Sequence, residues 1–179
     1  AIAIGDLGAW SPVDGRGARQ RIGFDPTDPD QSFDLIDDSY NANPASVAAS
    51  LEVLAAAETR DGVGRLAKGR RVVFLGDMKE LGEGGPALHA AIADNPDLSR
   101  IDKVHCVGPL MRHLYDALPA SKRGQWTETA GKMAGQVRRA VDSGDVVLVK
   151  GSLSMGLGRV VDAIRKLGHP APHPGHEDG

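Results

Sequence analysis

Three short, almost wholly apolar runs constrain the fold of this chain more than any other feature. They are RRVVFLGD at 70–77, DKVHCVG at 102–108 and DVVLVKG at 145–151, and stretches with helical spacing lie between them. A strand that is apolar on both faces must be covered on both faces, which is typical of parallel sheets joined by crossover helices. The pattern predicts an α/β fold, a Rossmann-like mostly parallel sheet with helices on both faces.

An N-terminal β-hairpin is predicted ahead of these runs, because candidate strands at 19–24 and 33–38 flank the turn-rich segment DPTDPDQS. Helical spacing begins after Asn43, which suits an N-cap, and Pro44 suits the first helical position. The remaining predicted elements are helices at 86–93, 110–118, 130–141 and 155–167 and a short strand within QWTETA at 125–130.

The chain divides into three predicted segments. Residues 1–18 contain no periodic element and include several turn-forming residues, so they are interpreted as a linker. Residues 19–168 form the folded domain, and the proline-rich tail HPAPHPGHEDG at 169–179 is predicted to be disordered. The sequence opens AIAIGDLGAW without an initiator methionine, which is compatible with processing and also with a cut inside a longer protein.

Composition excludes several classes of function. A net charge of −3 offers no electrostatic basis for binding nucleic acid. Cys106 is the only cysteine, so an intrachain disulfide is impossible and a cytoplasmic location is expected. No apolar stretch approaches the roughly 18 residues of a membrane-spanning helix.

Polar side chains collect at the predicted carboxyl ends of the strands, where ligands bind in sheets of this kind. These side chains are Asp37, Asp38, Asp77, Lys150 and Ser152. An acid can accept hydrogen bonds from ribose hydroxyls or hold a metal, whereas a lysine suits a phosphate or a carboxylate. Each residue alone is also compatible with a helix cap, but their convergence favours a binding site.

Common nucleotide-binding motifs do not explain this edge. GSLSMG at 151–156 lacks the Lys-Ser/Thr pair of a Walker A loop, and no glycine fingerprint follows the first strand. A free-standing receiver-like or small-nucleotide-binding module is an alternative. A receiver would require a third aspartate at the end of its third strand, where VHCVG stands instead.

Three strings together resemble the Mur ligase family. They are LIDDSYNANPAS at 35–46, VVFLGDMKELGE at 72–83 and DVVLVKGSLSMGLGRVVDAI at 145–164. The resemblance covers roughly residues 10–168 and corresponds to the C-terminal, Rossmann-like domain of these three-domain enzymes. Within the family, the strings resemble the branch that adds D-alanyl-D-alanine to UDP-N-acetylmuramoyl-tripeptide during peptidoglycan synthesis, a step of cell wall biogenesis on which cell shape and cell division depend.

The resemblance implies an ATP-dependent ligase that forms an acyl phosphate on the tripeptide carboxylate, which the dipeptide amine then attacks. The partners implied are D-alanyl-D-alanine, UDP-N-acetylmuramoyl-tripeptide, ATP and the enzyme's own N-terminal and central domains. The Walker A loop and the Mg²⁺ ligands belong to the central domain, so no catalytic residue and no metal ligand is expected in this chain, which alone should be inactive.

The resemblance also assigns roles to individual residues. Arg16 and Asp38 correspond to nucleotide-binding positions, with Asp38 on the ATP ribose, while Asp37 ends the strand or braces the loop. The substrate-binding positions implied are Asn41, Asn43, Asp77, Lys150 and Ser152. Asp77 would pair with the incoming ammonium group or cap a helix. Asn43 could likewise be only a helix cap. Lys150 and Ser152 would meet the dipeptide carboxylate or the phosphates, and in the open state Lys150 would pair with Asp77.

Two positions depart from the family pattern. Relatives often have an arginine after KGS and an acid after the later methionine, where this chain has Leu153 and Gly158. Recognition of a carboxylate at this loop would then depend more on Lys150. His89, His105 and His113 are interpreted as structural, because no acid or serine is spaced to form a triad with the strand residue His105.

Overall fold

A seven-stranded sheet forms the centre of the protein in a computed structural model, which describes Gly15 and residues 17–172. The strands are β1 (Ala18–Gly23), β2 (Ser32–Asp38), β3 (Arg71–Gly76), β4 (Lys103–Val107), β5 (Arg123–Thr127), β6 (Val146–Lys150) and β7 (His169–Pro170). Their spatial order is β5-β4-β3-β6-β2-β1-β7. The five strands from β5 to β2 are parallel to their neighbours, whereas β1 pairs antiparallel with β2 and β7. The predicted parallel sheet and N-terminal hairpin are confirmed.

Helices cover both faces of the sheet. They are α1 (Pro44–Ala56), α2 (Gly85–Ala91), α3 (Met111–Ala117), α4 (Ala130–Ala134), α5 (Val137–Ala140) and α6 (Gly158–Arg165). One hydrophobic core joins α1 and α3 to one face of the sheet, and a second core joins α4, α5 and α6 to the other. Side chains of the buried strands alternate between the two cores, which explains why these strands are apolar on both faces.

The chain path follows from the handedness of parallel crossovers. From β3 through β4 to β5 the chain runs toward one edge of the sheet, with α3 on one face. It then returns to β6 beside β3, with α4 and α5 on the opposite face. Opposite directions of travel on opposite faces keep each crossover right-handed. β6 thereby enters between β3 and β2, and the carboxyl ends of these three strands become neighbours.

Helix α1 begins where the sequence predicts. Asn43 Oδ1 accepts a hydrogen bond from Ser46 N at 2.8 Å, and Ser46 Oγ accepts one from Asn43 N at 3.0 Å, which together form a capping box. Pro44 occupies the first turn, where its missing N–H needs no partner. Val47, Leu51 and Leu54 then point into the core, as their spacing predicts.

Several boundaries differ from the prediction. The helix predicted at 130–141 breaks between α4 and α5 at 135–136. The helix predicted from 155 begins at Gly158, because Gly156 has φ +68° and ends a preceding 3-10 turn. The tail predicted as disordered from 169 starts with ordered residues, since His169 and Pro170 pair with β1 as β7.

Candidate functional site

The sheet order brings the predicted polar side chains to one edge. We call the carboxyl ends of β2, β6, β3 and β4, with the loops that follow them, the carboxyl edge. Asp38, the last residue of β2, stands opposite Lys150, the last residue of β6, and Lys150 stands opposite Leu75 of β3. Asp38, Lys150 and the residues after β3 therefore share a site, as ligand-binding edges of parallel sheets do.

Lys150 and Asp38 form an ion pair at this edge. Lys150 Nζ lies 3.0 Å from Asp38 Oδ2, and the two side chains are 5% and 22% exposed. The same oxygen accepts a hydrogen bond from Ser50 Oγ of α1 at 2.5 Å. The expectation that Asp77 would pair with Lys150 in the open state is wrong, because parallel register places Asp38 directly beside Lys150.

The Asp38–Lys150 pair retains unused hydrogen-bonding capacity. A protonated lysine has three N–H donors, and among the described residues Lys150 Nζ meets one carboxylate oxygen. Within the same part of the chain, Asp38 Oδ1 accepts no hydrogen bond. Lys150 is buried, so an uncompensated charge would be costly there. Chemically, the pair can offer a cation to an anionic ligand and an acceptor to hydroxyl groups.

Asp77 does not face this site, contrary to its predicted role beside an incoming amine. It is fully buried, and its carboxylate accepts hydrogen bonds from Met111 N at 2.7 Å and Leu110 N at 3.2 Å. Asp77 therefore caps α3, the helix after β4. Gly108 has φ +112°, and a Cβ at this position would collide with the Asp77 carboxylate, so the absence of a side chain at 108 permits the cap.

Asp37 braces the loop, as the sequence suggests. Its carboxylate accepts hydrogen bonds from Gly15 N at 3.0 Å, Ser39 Oγ at 2.6 Å and Ser39 N at 3.2 Å. Arg165 Nη2 of α6 lies 3.6 Å from Asp37 Oδ2. Asp37 thus joins the segment before β1 to the end of β2. The adjacent Arg16, predicted to reach nucleotide, lies outside the described residues.

The remaining predicted ligand residues have structural contacts. Asn43 caps α1, and Asn41 is exposed with Oδ1 accepting from Ala42 N at 2.9 Å. Ser152 is buried, and its Oγ accepts from Lys79 N at 3.1 Å, which connects the loops after β6 and β3. Leu153, at the position of the missing arginine, is 62% exposed.

The hydrogen bonds of the buried histidines do not involve the Asp38–Lys150 pair. His89 accepts from Met78 N through Nε2 at 2.9 Å, and its Nδ1 lies 2.6 Å from Gly85 O, so it is satisfied within the protein. Burial, with repulsion from Arg70 and Lys103, lowers the pKa of His105 to about 4. Burial also raises the pKa of the Cys106 thiol, which leaves it unreactive.

Ser50 is the site residue that sequence reasoning missed. It lies one turn after Val47 on the buried face of α1, where the other buried positions are apolar. A polar residue at a core-facing helical position is the signal that identifies it, since such a hydroxyl needs a partner. That partner is Asp38.

Comparison with known proteins decides the family. A model of the family described as Mur ligase, glutamate ligase domain, matches residues 24–153. The chain belongs to the Mur ligase family. The resemblance inferred from the three sequence strings is confirmed, and the receiver-like alternative is not favoured.

Two relatives of this Mur ligase chain are similar over most of its length. The UDP-N-acetylmuramoyl-tripeptide–D-alanyl-D-alanine ligase of Escherichia coli K12 is 32% identical over 136 residues, which is 75% of this chain and 27% of the relative. The enzyme of that name from Mycobacterium tuberculosis H37Rv is 34% identical over 147 residues, 73% of this chain and 28% of the relative. The chain therefore spans about a quarter of the length of these curated relatives.

Solved structures show the same fold. The MurF ligase of Thermotoga maritima, crystallised in complex with ADP, aligns with a TM-score of 0.69 and 25% identity, covering 93% of this chain and 34% of that one. A MurF of Acinetobacter baumannii aligns with a TM-score of 0.68 and 20% identity, covering 91% of this chain and 33% of that one.

The described residues of this Mur ligase domain contain neither a metal-binding cluster nor a membrane-spanning helix. No group of three or more histidine, cysteine, aspartate or glutamate side chains in that part of the chain is arranged to hold a metal ion. No helix in the same residues has the length and apolar character that a bilayer crossing requires.

Proposed function

We propose that this chain is the C-terminal domain of an ATP-dependent cytoplasmic ligase that joins D-alanyl-D-alanine to UDP-N-acetylmuramoyl-tripeptide. The observation that carries the proposal is its similarity to ligases of that name in E. coli and M. tuberculosis. The partly unsatisfied Asp38–Lys150 pair at the carboxyl edge supports a ligand-binding role. In this assignment, residues 1–18 link the domain to a central ATPase domain, 19–168 form the domain, and the tail begins after β7.

The reaction would proceed in two steps. The terminal phosphoryl group of ATP is transferred to the tripeptide carboxylate, which gives an acyl phosphate and ADP. The amine of D-alanyl-D-alanine then attacks the acyl carbon, loses a proton and forms the amide as inorganic phosphate leaves. Closure of this domain over the ATPase domain would position the amine and exclude water, which would otherwise hydrolyse the acyl phosphate.

Asp38 and Lys150 would exchange partners when ligands bind. In the free domain they neutralise each other, which lowers the cost of burying the lysine. A bound carboxylate or phosphate would supply Lys150 with a second anion. Asp38, with Oδ1 available, would accept hydrogen bonds from the ATP ribose hydroxyls. Ser50 would hold Asp38 in place during this exchange, because its hydroxyl reaches Oδ2 from α1.

The other carboxyl-edge residues would shape the closed site. Asn41 is exposed beside this edge and would contact substrate through its side-chain amide. Asn43 and Ser152 would contribute less directly. Asn43 caps α1, and Ser152 Oγ accepts a hydrogen bond from Lys79 N. Arg16 would reach the nucleotide from the linker. Asp77 would position the loop before α3 rather than contact the amine.

Magnesium would be held elsewhere in the enzyme. Coordination by Mg²⁺ requires several oxygen ligands around one point, and the described residues offer no such group. The resemblance to the Mur ligase family implies that the catalytic metal ligands belong to the central domain. On this account the 179-residue chain folds, because each face of its sheet has its own core, but it hydrolyses no ATP.

Phosphate release by the complete enzyme tests the proposal. Release should require ATP, UDP-N-acetylmuramoyl-tripeptide and D-alanyl-D-alanine together, and the 179-residue chain alone should release none. Ligation of a different amine in preference to the dipeptide would contradict the proposed substrate. ATP hydrolysis by the isolated chain would contradict the assignment of phosphoryl transfer to another domain.

A further inference from the structure

A second polar cleft lies away from the carboxyl edge. Its volume is about 410 Å³, and it opens between the β4–β5 side of the sheet and the break between α4 and α5. Its polar lining includes His105, Gln125, Gln136 and Arg139, and no carboxylate belongs to the lining. We call it the β4–β5 cleft.

His105 places a donor at the base of this cleft. Its side chain is buried, with the residue 5% exposed, and its ring stacks on Phe74 with 4.5 Å between centroids. His105 Nδ1 accepts a hydrogen bond from Gln125 N at 2.9 Å, so the proton of the neutral ring is on Nε2. Among the described residues, no hydrogen-bond acceptor pairs with Nε2. The only buried, unpaired side-chain nitrogen or oxygen among these residues is Arg70 Nε, so His105 Nε2 is open to the cleft, where water or a ligand can accept its hydrogen bond.

The local backbone is arranged around this ring. Between Val104 and Cys106 the register of β4 against β5 shifts, so that β5 contributes one residue more than β4. This bulge directs Gln125 N to the imidazole. A Cβ on Gly124 would collide with the ring, so glycine permits the close approach. Bulges of this type often redirect groups near functional sites.

Arg139 is the charged residue in the lining of the cleft. Arg139 lines it and, within the described part of the chain, forms no ion pair. Arg70 and Lys103 lie near enough to His105 to disfavour its protonation. Arg70 Nε is buried without a hydrogen-bond partner, although Nη2 of the same side chain pairs with Asp145. The donors that the cleft lining itself presents therefore include Arg139 and His105 Nε2, and no carboxylate in the lining neutralises Arg139.

We propose that the β4–β5 cleft binds the oxyanion group, phosphate or carboxylate, of a small molecule, through Arg139 and His105 Nε2–H. Arg139 supplies the charge and a planar pair of donors that matches two oxygens of such a group. The neutral, mostly buried ring of His105 supplies a donor in a fixed position, and the Gln125 and Gln136 residues belong to the same lining. The site is separate from the carboxyl edge and does not rest on the ligase activity.

NMR of the His105 ring nitrogens in the 179-residue chain tests the proposal at pH 7. Inorganic phosphate and acetate are titrated separately at constant ionic strength, with sodium chloride as the reference salt. Either anion should change the chemical shifts of the His105 ring nitrogens in a saturable way. The pKa of His105 should also rise when the anion is bound, because negative charge favours the imidazolium. A response to phosphate alone identifies a phosphate ligand, and a response to acetate alone identifies a carboxylate.

Two matched arginine variants separate the site from general charge effects. Arg139→Gln should weaken anion binding at least about tenfold, the effect of losing a charged hydrogen-bond pair. Arg138→Gln removes the same charge from the neighbouring exposed residue, which does not line the cleft, and should leave the affinity within about twofold. The proposal would be overturned if the anions changed the His105 chemical shifts no more than sodium chloride does. It would also be overturned if Arg139→Gln and Arg138→Gln bound the anion with equal affinity.

Discussion

The two edges of the sheet both pair aspartates with cations, but they do so differently. At the amino edge, formed by the segments that precede β3 and β6, Asp145 accepts from Arg70 N at 2.8 Å, Asp142 N at 2.9 Å and Arg70 Nη2 at 2.9 Å. Asp142 accepts from Leu66 N at 2.9 Å and Arg65 N at 3.1 Å. At the carboxyl edge, Asp38 pairs with Lys150 and accepts a hydrogen bond from the Ser50 hydroxyl, both through Oδ2.

This difference separates structural charges from charges available to a ligand. The amino-edge carboxylates are saturated by backbone N–H groups that cannot move without unfolding the loops. The Asp38–Lys150 pair consists of two side chains, and each can exchange the other for a ligand group. Substitutions at the amino edge should therefore change stability, while substitutions at the carboxyl edge should change ligand binding.

The largest expected effect is at the amino edge. Asp145→Ala should lower the free energy of unfolding by about 3–5 kcal/mol, because it removes the carboxylate that neutralises Arg70 and leaves two backbone N–H groups without an acceptor. Urea denaturation of the 179-residue chain measures this loss. Asp116→Ala, which removes an exposed partner of Arg112, is the control and should change stability by less than about 1 kcal/mol. Equal losses in the two variants would show that the amino-edge network is not structural.

Acid should destabilise the protein through His105, which the amino-edge cation Arg70 helps to keep neutral. The pKa of His105 is about 4 in the folded protein and 6.5 ordinarily, so the unfolded chain binds the proton more tightly. The stabilisation is complete above pH 6.5 and falls as the pH drops toward 4, by about 3 kcal/mol. Denaturation midpoints between pH 7 and 4 measure the slope, and His105→Gln should flatten it. The same slope in the variant would assign the acid sensitivity to other groups.

The sequence predicts the strands and the start of α1 better than it predicts the contacts of the site. Apolar runs identify the strands, and Asn43 with Pro44 identifies the start of α1, because both signals are local. The pairing of Asp38 with Lys150 depends on β6 entering between β2 and β3, and no local pattern encodes that strand order. The direction of Asp77 depends in the same way on Gly108, which a different strand brings alongside it.

A smaller effect is expected at Asp38. In the complete ligase, Asp38→Asn keeps an oxygen near Ser50 and Lys150 but removes the charge, and it should weaken the ATP contact by about 1–3 kcal/mol. Most of this should appear as a higher KM for ATP, measured by steady-state phosphate release. An unchanged KM for ATP with a higher KM for the dipeptide would place Asp38 in the acceptor site instead.

The steady-state behaviour of Lys150→Ala in the complete ligase tests most directly whether the carboxyl edge is the ligand-binding edge. The KM for D-alanyl-D-alanine should rise about tenfold, the effect of one lost charged contact, and the KM for ATP should change much less. Leu153→Arg on that background should recover part of the loss, because position 153 is exposed and tolerates a charge. Lys103→Ala, at the opposite end of the sheet, is the matched control and should leave both constants unchanged. A normal dipeptide KM in Lys150→Ala would contradict the account, because Lys150 would then serve only to neutralise Asp38.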